Sequence, residues 1–243
     1  MKLALIGAPN THLFQEQMQL GYHLVLAQYC NDRQYAGFYL RLAQQGHFIM
    51  IDNGAAEEGA SIDFNTVIDV GNMLDADELV LPDVLDDMDA TLAATKAHYH
   101  KIPVKNRIMV PQGKNWSEWQ YCAQMMLSWG CSTIAVAKRY EMFAGGRQEA
   151  VRLLQSLGCT THIHFLGCCK DPIKEMQGAV DAALHVRGID TAAAFAYARE
   201  GTDLLSGKHV SYEWGAQFSF RQAYRNVQEM LAICGGSSNA SSH

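Results

Sequence analysis

The chain has 243 residues, of which 49% are hydrophobic and 18% charged, and its formal net charge is −6 at pH 7. This length and composition suit one large domain with a sizeable core and exclude global disorder. The acidic balance excludes bulk attraction to nucleic acid, so any such contact needs a local basic patch. No apolar run reaches the roughly 18 residues of a membrane helix. We expect no signal peptide and no membrane partner.

Seven cysteines are spaced irregularly along the chain, and none forms a CxxC pair. An odd number at such spacing argues against a disulfide framework and predicts buried free thiols in a reducing cytoplasm. Without a CxxC pair there is no zinc motif, and we predict neither a metal site nor another cofactor.

Eight apolar runs with the length and composition of buried strands follow one another along the chain. Their predicted bounds are residues 1–9, 22–28, 47–52, 78–82, 107–111, 131–137, 161–166 and 182–189. Segments with helical spacing of apolar residues alternate with these runs. The predicted helices span residues 10–19, 35–45, 63–74, 88–99, 116–129, 147–157, 171–178 and 218–233.

Strand and helix alternate with a period of about 25 to 30 residues, which is typical of a parallel α/β fold. An open doubly wound sheet would show the same rhythm. We favour a TIM-type (β/α)8 barrel because polar residues end so many strands and no phosphate-binding glycine loop is present. The prediction is one barrel domain over residues 1–234, followed by a low-complexity flexible tail over 235–243.

Six of the predicted strands end at a residue that a barrel would bring to one mouth, and five of these six residues have polar side chains. Carboxylates there can accept hydrogen bonds from the N–H groups of a planar ligand, and a carboxamide can donate and accept. A carboxylate can also attack the anomeric carbon of a sugar while a second one exchanges a proton with the leaving group. The pattern therefore indicates chemistry at a glycosidic carbon next to a bound purine-like base. The six residues are Asp52, Asp83, Gln112, Lys138, Gly167 and Asp190.

Five strand-end motifs, FIMIDNGA, ELVLPD, MVPQG, STIAVAK and VRGIDT, occur in that order. They resemble the motifs of the tRNA-guanine transglycosylase superfamily, and most closely its short viral members, which exchange guanine in DNA for 7-deazaguanines. The resemblance covers most of the chain, from about Tyr22 to Glu200. It implies a barrel that needs no cofactor, uses nucleic acid and a free base as substrates, and forms a covalent enzyme–nucleic-acid intermediate. A viral protein acting in the cytoplasm of a host cell would fit this pattern.

The resemblance also implies a role for each strand-end residue. Asp190 is matched to the nucleophile that attacks C1′ of the sugar, and Asp52 to the acid and base that handles the proton of the departing and incoming bases. Asp83 would bind the N–H groups of the base, and Gln112 its carbonyl oxygen. The predicted base-binding set is completed by Gly113, Ala135 and Gly167, and the predicted nucleic-acid contacts are Lys138, Arg139 and Arg187.

The sequence is compatible with several alternatives. Asp181 can be aligned with the nucleophile instead of Asp190, although only Asp190 follows an apolar run. Asn53-Gly54-Ala55 replaces the Ser-Gly-Gly of the tRNA enzymes, and the CxCxxC zinc motif is missing, which favours DNA over tRNA. Exchange on tRNA with a partner subunit, or a non-catalytic barrel that binds a purine, remain competing hypotheses. The strand-end acids would then only cap helices or turns.

Overall fold

The computed structural model describes residues 1–142, 146–168, 171–181 and 186–235. In these ranges, eight parallel strands alternate with helices along the chain, as predicted. The strands are β1 Lys2–Leu5, β2 Tyr22–Leu26, β3 Phe48–Asp52, β4 Glu78–Val80, β5 Arg107–Met109, β6 Thr133–Ala137, β7 His162–Leu166 and β8 Val186–Thr191.

The α-helices pack around the outside of these strands. They are α1 His12–Met18, α2 Arg33–Gln44, α3 Ala55–Glu58, α4 Phe64–Leu74, α5 Met88–His98, α6 Trp116–Trp129, α7 Arg147–Ser156, α8 Pro172–Asp181, α9 Ala193–Arg199 and α10 Phe220–Cys234. Side-chain caps begin several of them: Asp32, Asp87 and Asn115 each accept a backbone N–H in the first turn that follows. Short 3₁₀ turns connect strands and helices, including Lys138–Met142 after β6.

The strands form one sheet in the order β1-β8-β7-β6-β5-β4-β3-β2, and every pairing is parallel. Cα atoms of β1 and β2 approach within 8 Å, so the two ends of the sheet meet and nearly close the barrel. The carboxyl ends of parallel strands share one rim. The fold is therefore the predicted (β/α)8 barrel, and not an open doubly wound sheet.

Two apolar layers hold the barrel together. The larger lies between the strands and the helices and includes the fully buried rings of Trp119 and Phe165. The smaller fills the barrel interior with the inward-facing residues of the strands, as in other barrels of this kind. Its buried members are Ala4, Ile6, Tyr22, Leu24, Leu26, Met50, Val80, Ile108, Val110 and Ala135.

A buried ion pair closes the interior at the amino ends of the strands, which we call the bottom of the barrel. Glu78, the first residue of β4, accepts hydrogen bonds from Arg187 of β8 and from the Thr133 hydroxyl of β6. The register between β7 and β8 shifts at this level: Ile163 pairs with Val186 but His164 pairs with Gly188. Arg187 is the extra residue of this β-bulge, a feature that re-aims side chains.

The predicted element bounds differ from the structure mainly at strand ends. The eighth strand is predicted at 182–189 but lies at Val186–Thr191, so Asp190 is inside it; residues 182–185 are outside the described ranges. Helix α8 continues past the predicted Gly178 to Asp181. Helix α9 is not predicted, because Ala193–Arg199 is apolar on all sides and lacks the amphipathic pattern. Of the predicted tail, residues 236–243 are outside the described ranges.

Candidate active site

A cavity of about 600 Å³ opens at the carboxyl ends of the strands, which we call the mouth of the barrel. This volume falls in the range of small-molecule sites, roughly 300 to 1,000 Å³. Its walls combine apolar residues of the barrel interior with polar residues from the strand ends. The three predicted acids, Asp52, Asp83 and Asp190, all line it, together with Gln112, Lys138, Arg139 and Gly167.

Asp83 is held by two carboxamides. Asn53 Nδ2 donates to its Oδ1 at 2.7 Å, and Gln112 Nε2 donates to its Oδ2. The Ser61 hydroxyl lies 3.5 Å from Oδ1 and donates at 2.7 Å to the backbone carbonyl of the same residue. The carboxylate is only 3% exposed. Burial raises the pKa of Asp83, and the hydrogen bonds from Asn53, Gln112 and Ser61 oppose this shift only in part.

Both polar atoms of the Gln112 carboxamide, Oε1 and Nε2, make hydrogen bonds. Its Oε1 accepts the Tyr140 hydroxyl and, at 3.3 Å, the backbone N–H of Asp86. A carboxamide oxygen has two lone pairs, so these donors saturate it, and one N–H of Nε2 is spent on Asp83. The second N–H of Nε2 makes no hydrogen bond to the described residues, and Gln112 lines the cavity although it is fully buried, so this N–H is the group that it can still offer to the carbonyl oxygen of a ligand.

Asp190 receives two hydrogen bonds on one oxygen. His164 Nε2 and the backbone N–H of Gly167 each lie 3.0 Å from its Oδ1. Its Oδ2 receives no hydrogen bond from the described residues, while the residue lines the cavity and is 2% exposed. Gly167 has φ +67°, a left-handed conformation that suits glycine and turns this N–H toward the carboxylate. One oxygen is thus fixed and the other is available for chemistry.

Asp52 is the last residue of β3, in register with Leu26 of β2. It is 7% exposed and lines the same cavity as Asp83 and Asp190. The next residue, Asn53, turns away to donate to the carbonyl of Leu81 and to Asp83. The turn after β3 therefore places one carboxylate in the cavity and uses its neighbour to hold another.

The rim of the cavity carries cationic and aromatic groups. Lys138 and Arg139 follow β6 directly and line the cavity, and Arg139 also pairs with Asp86. The segment 207–214, before α10, covers another part of the rim. Trp214 in this segment contacts the rings of Tyr212 and Tyr29, with centroids 4.6 and 6.0 Å away. Five of its residues line the cavity: His209, Val210, Ser211, Tyr212 and Trp214.

Two predicted base-binding residues do not line the cavity. Ala135 is fully buried in the interior layer beneath it, and Ala137 of the same strand lines it instead. Gly113 packs against α6: a Cβ there would lie 2.5 Å from the backbone nitrogen of Trp119, and its own N–H donates to Tyr140. The third, Gly167, lines the cavity, but its N–H donates to Asp190 and does not face an open position.

Arg187 and Asp181, two further candidates from the sequence, lie away from the mouth. Arg187 does not reach the mouth, where the sequence predicts a contact with nucleic acid. It lies at the bottom of the barrel, paired with Glu78 and stacked 4.7 Å over the ring of Phe48. Asp181 ends α8 and is exposed on the outer surface of the barrel. Of the two aligned candidates for the nucleophile, Asp190 is therefore the one that lines the cavity.

Sequence reasoning misses the partners that hold the acids. In the sequence, His162 and His164 lie on one face of a strand, which favours core or pocket packing over a metal site; in the structure the His164 ring contacts Asp190 and Tyr22. Asn53 stands out in the sequence only as a departure from the tRNA enzymes. One signal is present for His164: it sits at an inward position of a strand whose end borders the site, and buried imidazoles need hydrogen-bond partners.

The described residues contain no group of three or more His, Cys, Asp or Glu side chains that could hold a metal ion. The six described cysteines are free, and burial raises the pKa of Cys122 to about 11 and of Cys168 to about 12. Thiols of this kind are poor nucleophiles and poor metal ligands. In the described ranges, no helix combines the length and the apolar character needed to cross a membrane.

No protein-family model and no curated protein matches the chain. Its fold is similar to that of solved structures at very low identity. A structure of the tryptophan synthase a2b2 complex from the hyperthermophile Pyrococcus furiosus matches with a TM-score of 0.58 and 8% identity, over 96% of this chain and 97% of that one. The protein SacUVDE matches with a TM-score of 0.53 and 8% identity, over 98% and 100%.

A third structure is the carboxyl transferase domain of Rhizobium etli pyruvate carboxylase with pyruvate. It has a TM-score of 0.53 and 11% identity, over 96% of this chain and 47% of that one. The chain spans about half the length of the first several structures it matches. At such identities these matches show the barrel fold alone, because one fold supports many chemistries.

Proposed function

We propose that the protein is a base-exchange transglycosylase that replaces guanine in DNA with a 7-deazaguanine such as 7-cyano-7-deazaguanine. The observation that carries this proposal is the shared cavity of Asp52, Asp83 and Asp190, three acids selected from strand-end motifs far apart in the sequence. The order of those motifs, and their resemblance to the transglycosylase superfamily, supply the reaction type.

The first step is assigned to Asp190. Its Oδ2 attacks C1′ of the target nucleotide, the C1′–N9 bond breaks, and the electron pair leaves with the base. A glycosyl ester of Asp190 forms, and no redox cofactor is needed. The donors on Oδ1, His164 Nε2 and the Gly167 N–H, keep the carboxylate in one orientation while it reacts.

Proton handling is assigned to Asp52. As an acid it protonates the departing guanine, and as a carboxylate it then removes the proton from N9 of the incoming base. That nitrogen attacks C1′, the ester bond breaks, and Asp190 regains its charge. The two roles alternate in the same carboxyl group, so the proton is conserved over one exchange. Asp52 lines the same cavity as Asp190, so the proposed acid and the proposed nucleophile border one space.

Base recognition is assigned to Asp83 and Gln112. An ionised carboxylate offers about four acceptor positions, and Asn53, Ser61 and Gln112 engage up to three of those of Asp83. A remaining position on Oδ2 can accept an N–H from the edge of a guanine-like base. The second N–H of Gln112 Nε2 is available for its carbonyl oxygen. A base inside a duplex cannot reach this cavity, so the target nucleotide must be flipped or single-stranded.

The test uses a DNA oligonucleotide, labelled guanine and labelled 7-cyano-7-deazaguanine with the wild-type chain. We expect label to enter DNA and a denaturation-resistant protein–DNA adduct to form, and both to vanish in Asp190→Asn. A parallel assay with tRNA, alone and with cell extract as a source of partners, measures the alternative acceptor. Exchange on tRNA only would overturn the DNA assignment. Base binding by calorimetry without exchange on either polymer would leave a purine-binding barrel and refute catalysis.

A further inference from the structure

A line of buried hydrogen bonds runs through the barrel from its bottom to its mouth. Arg187 Nε donates to the hydroxyl oxygen of Tyr22 at 3.3 Å. That oxygen lies 2.9 Å from His164 Nδ1, and His164 Nε2 lies 3.0 Å from Asp190 Oδ1. The four residues come from strands β2, β7 and β8. The line therefore links the ion pair at the bottom with the proposed nucleophile at the mouth.

Each member of this line is fixed by its surroundings. His164 is fully buried, and Tyr22 is 2% exposed with its ring stacked on Phe48 at 5.4 Å. Arg187 is anchored by Glu78. Gly188 makes room for the tyrosine, since a Cβ there would lie 2.6 Å from the Tyr22 ring. The geometry of His164 toward Asp190 is thus set by neighbours on three strands.

The chemistry of the donors gives the line one direction. A guanidinium N–H can only donate, so the Tyr22 oxygen accepts from Arg187. Burial raises the pKa of Tyr22, which keeps its O–H protonated and able to donate to His164 Nδ1. With Nδ1 as an acceptor, the imidazole carries its proton on Nε2, which lies 3.0 Å from Asp190 Oδ1. The opposite tautomer would face a carboxylate oxygen with a lone pair, unless Asp190 itself were protonated.

We infer that His164 and Tyr22 are positioning residues for the reaction of Asp190, with Tyr22 holding His164 in the tautomer that donates to Oδ1. This inference rests on the proposed base exchange. It assigns to the barrel interior a role in the second half of that reaction, when the ester of Asp190 is broken.

The hydrogen bonds to Asp190 Oδ1 have different effects on formation and on breakdown of the glycosyl ester. When Oδ2 attacks C1′, the carboxylate loses its charge and Oδ1 becomes the carbonyl oxygen of the ester. When the incoming base attacks C1′, the C1′–Oδ2 bond breaks, its electron pair returns to Asp190, and the charge reappears on Oδ1 and Oδ2. Hydrogen bonds are stronger to the charged form, so the N–H of His164 stabilises the carboxylate as a leaving group. Loss of this N–H slows ester breakdown more than ester formation.

Four variants separate this role from a structural one. His164→Leu removes the donor, and His164→Gln returns an N–H at the end of the side chain. Tyr22→Phe removes only the hydroxyl that orients the imidazole. Tyr39→Phe is the matched control, because it also deletes a buried tyrosine hydroxyl with a side-chain partner, Gln15, but on α2 outside the barrel.

The experiment is a single-turnover assay on end-labelled DNA with excess enzyme. Adduct formation is followed first, and its release is followed after addition of 7-cyano-7-deazaguanine. We expect His164→Leu to slow release by about ten- to a hundredfold, the effect of one hydrogen bond to a charged group, and adduct to accumulate. Tyr22→Phe should slow release by about two- to tenfold, because the donating tautomer is then populated only part of the time. His164→Gln should restore release, and Tyr39→Phe should match the wild type.

The outcomes distinguish a failure of the proposed function from a failure of this inference alone. A wild-type chain without adduct or exchange overturns the proposed function, and this inference falls with it. If the wild type reacts but Tyr22→Phe and Tyr39→Phe behave alike, the inference alone is wrong. It is also wrong if formation and release slow equally in a folded His164→Leu protein, since that is the mark of a merely structural role. Tyr22→Phe keeps the test decisive should His164→Leu not fold.

Discussion

The two ends of the barrel interior both bury carboxylates but surround them with different partners. At the bottom, Glu78 is 2% exposed and pairs with the guanidinium of Arg187. At the mouth, Asp83 is 3% and Asp190 2% exposed. Asp83 accepts hydrogen bonds from the neutral side chains of Asn53, Gln112 and Ser61, and Asp190 accepts them from the His164 ring and the Gly167 backbone.

The different partners indicate a stabilising role for the carboxylate at the bottom and a functional role for those at the mouth. A buried charge costs free energy unless a counter-charge or several good hydrogen bonds offset it. The bottom meets this need with an ion pair, whereas the mouth leaves Asp83 with a raised pKa. Groups that are desolvated without a counter-ion cluster at functional sites, because the same strain makes them reactive or ready for a ligand. We therefore expect substitution at the mouth to reduce activity with little loss of stability, and substitution at the bottom to reduce stability.

The largest expected effect is at the mouth. Asp190→Asn should lower the rate of base exchange by about 10⁴-fold or more, because the amide cannot form the glycosyl ester. The melting temperature should be kept or rise, since the amide oxygen still accepts from His164 and Gly167 while the buried charge disappears. Exchange assays and thermal melts check this. A variant with exchange within tenfold of the wild type would remove Asp190 from the mechanism.

The bottom of the barrel should respond in the opposite way. Glu78→Gln leaves Arg187 without its buried partner and should lower the free energy of unfolding by about 3 to 5 kcal/mol. Urea unfolding measures this value. The control is Glu149→Gln, which breaks the exposed pair with Arg152 and should cost at most about 1 kcal/mol. Equal losses in the two variants would show that the bottom pair does not stabilise the barrel.

A third test concerns the pH dependence of stability through Asp83. Because burial raises the pKa of Asp83 in the folded state, the unfolded chain loses this proton first as the pH rises from the ordinary aspartate value of about 3.8. The contribution of Asp83 to stability is therefore present below that pH and is lost as the pH rises through the folded pKa. The neutral Asp83→Asn variant lacks this loss.

The measurement is the free energy of unfolding of both proteins between pH 4 and pH 7. We expect the stability of Asp83→Asn relative to the wild type to increase with pH in this window. A difference that stays constant, or falls as the pH rises, would show that Asp83 is not strained by burial. Binding of 7-cyano-7-deazaguanine should weaken in the same variant by about ten- to a hundredfold, because a polar partner of the base is lost.

The smallest expected effect is on DNA binding. Lys138→Gln removes a cation that lines the mouth and should weaken DNA binding a few-fold. The slope of log K against the logarithm of the salt concentration should become shallower by about one. Lys105→Gln is the control, because Lys105 is exposed next to the start of β5, at the bottom of the barrel. If both variants change the salt dependence equally, DNA does not approach the mouth in particular.

The sequence is sufficient for the barrel and for the acids at its mouth. Apolar runs of strand length at a regular period predict parallel strands, and parallel strands in a closed sheet all end at one rim. The acids at the strand ends, Asp52, Asp83 and Asp190, are therefore expected at the mouth. This can be predicted from the sequence because strand positions follow from local periodicity, and the end that faces the mouth follows from chain direction. Gln112 is found in the same way.

The partners of those residues depend on the tertiary structure. Arg187 lies at the amino end of β8, three residues before Asp190, and the β-bulge between β7 and β8 turns its side chain into the interior, where it pairs with Glu78. His164 meets Asp190 because the strand register aligns two inward positions on β7 and β8. Bulges and register are properties of paired strands, so no single stretch of sequence encodes them. The sequence alone determined which acids reach the mouth; packing between strands decided which group holds each of them.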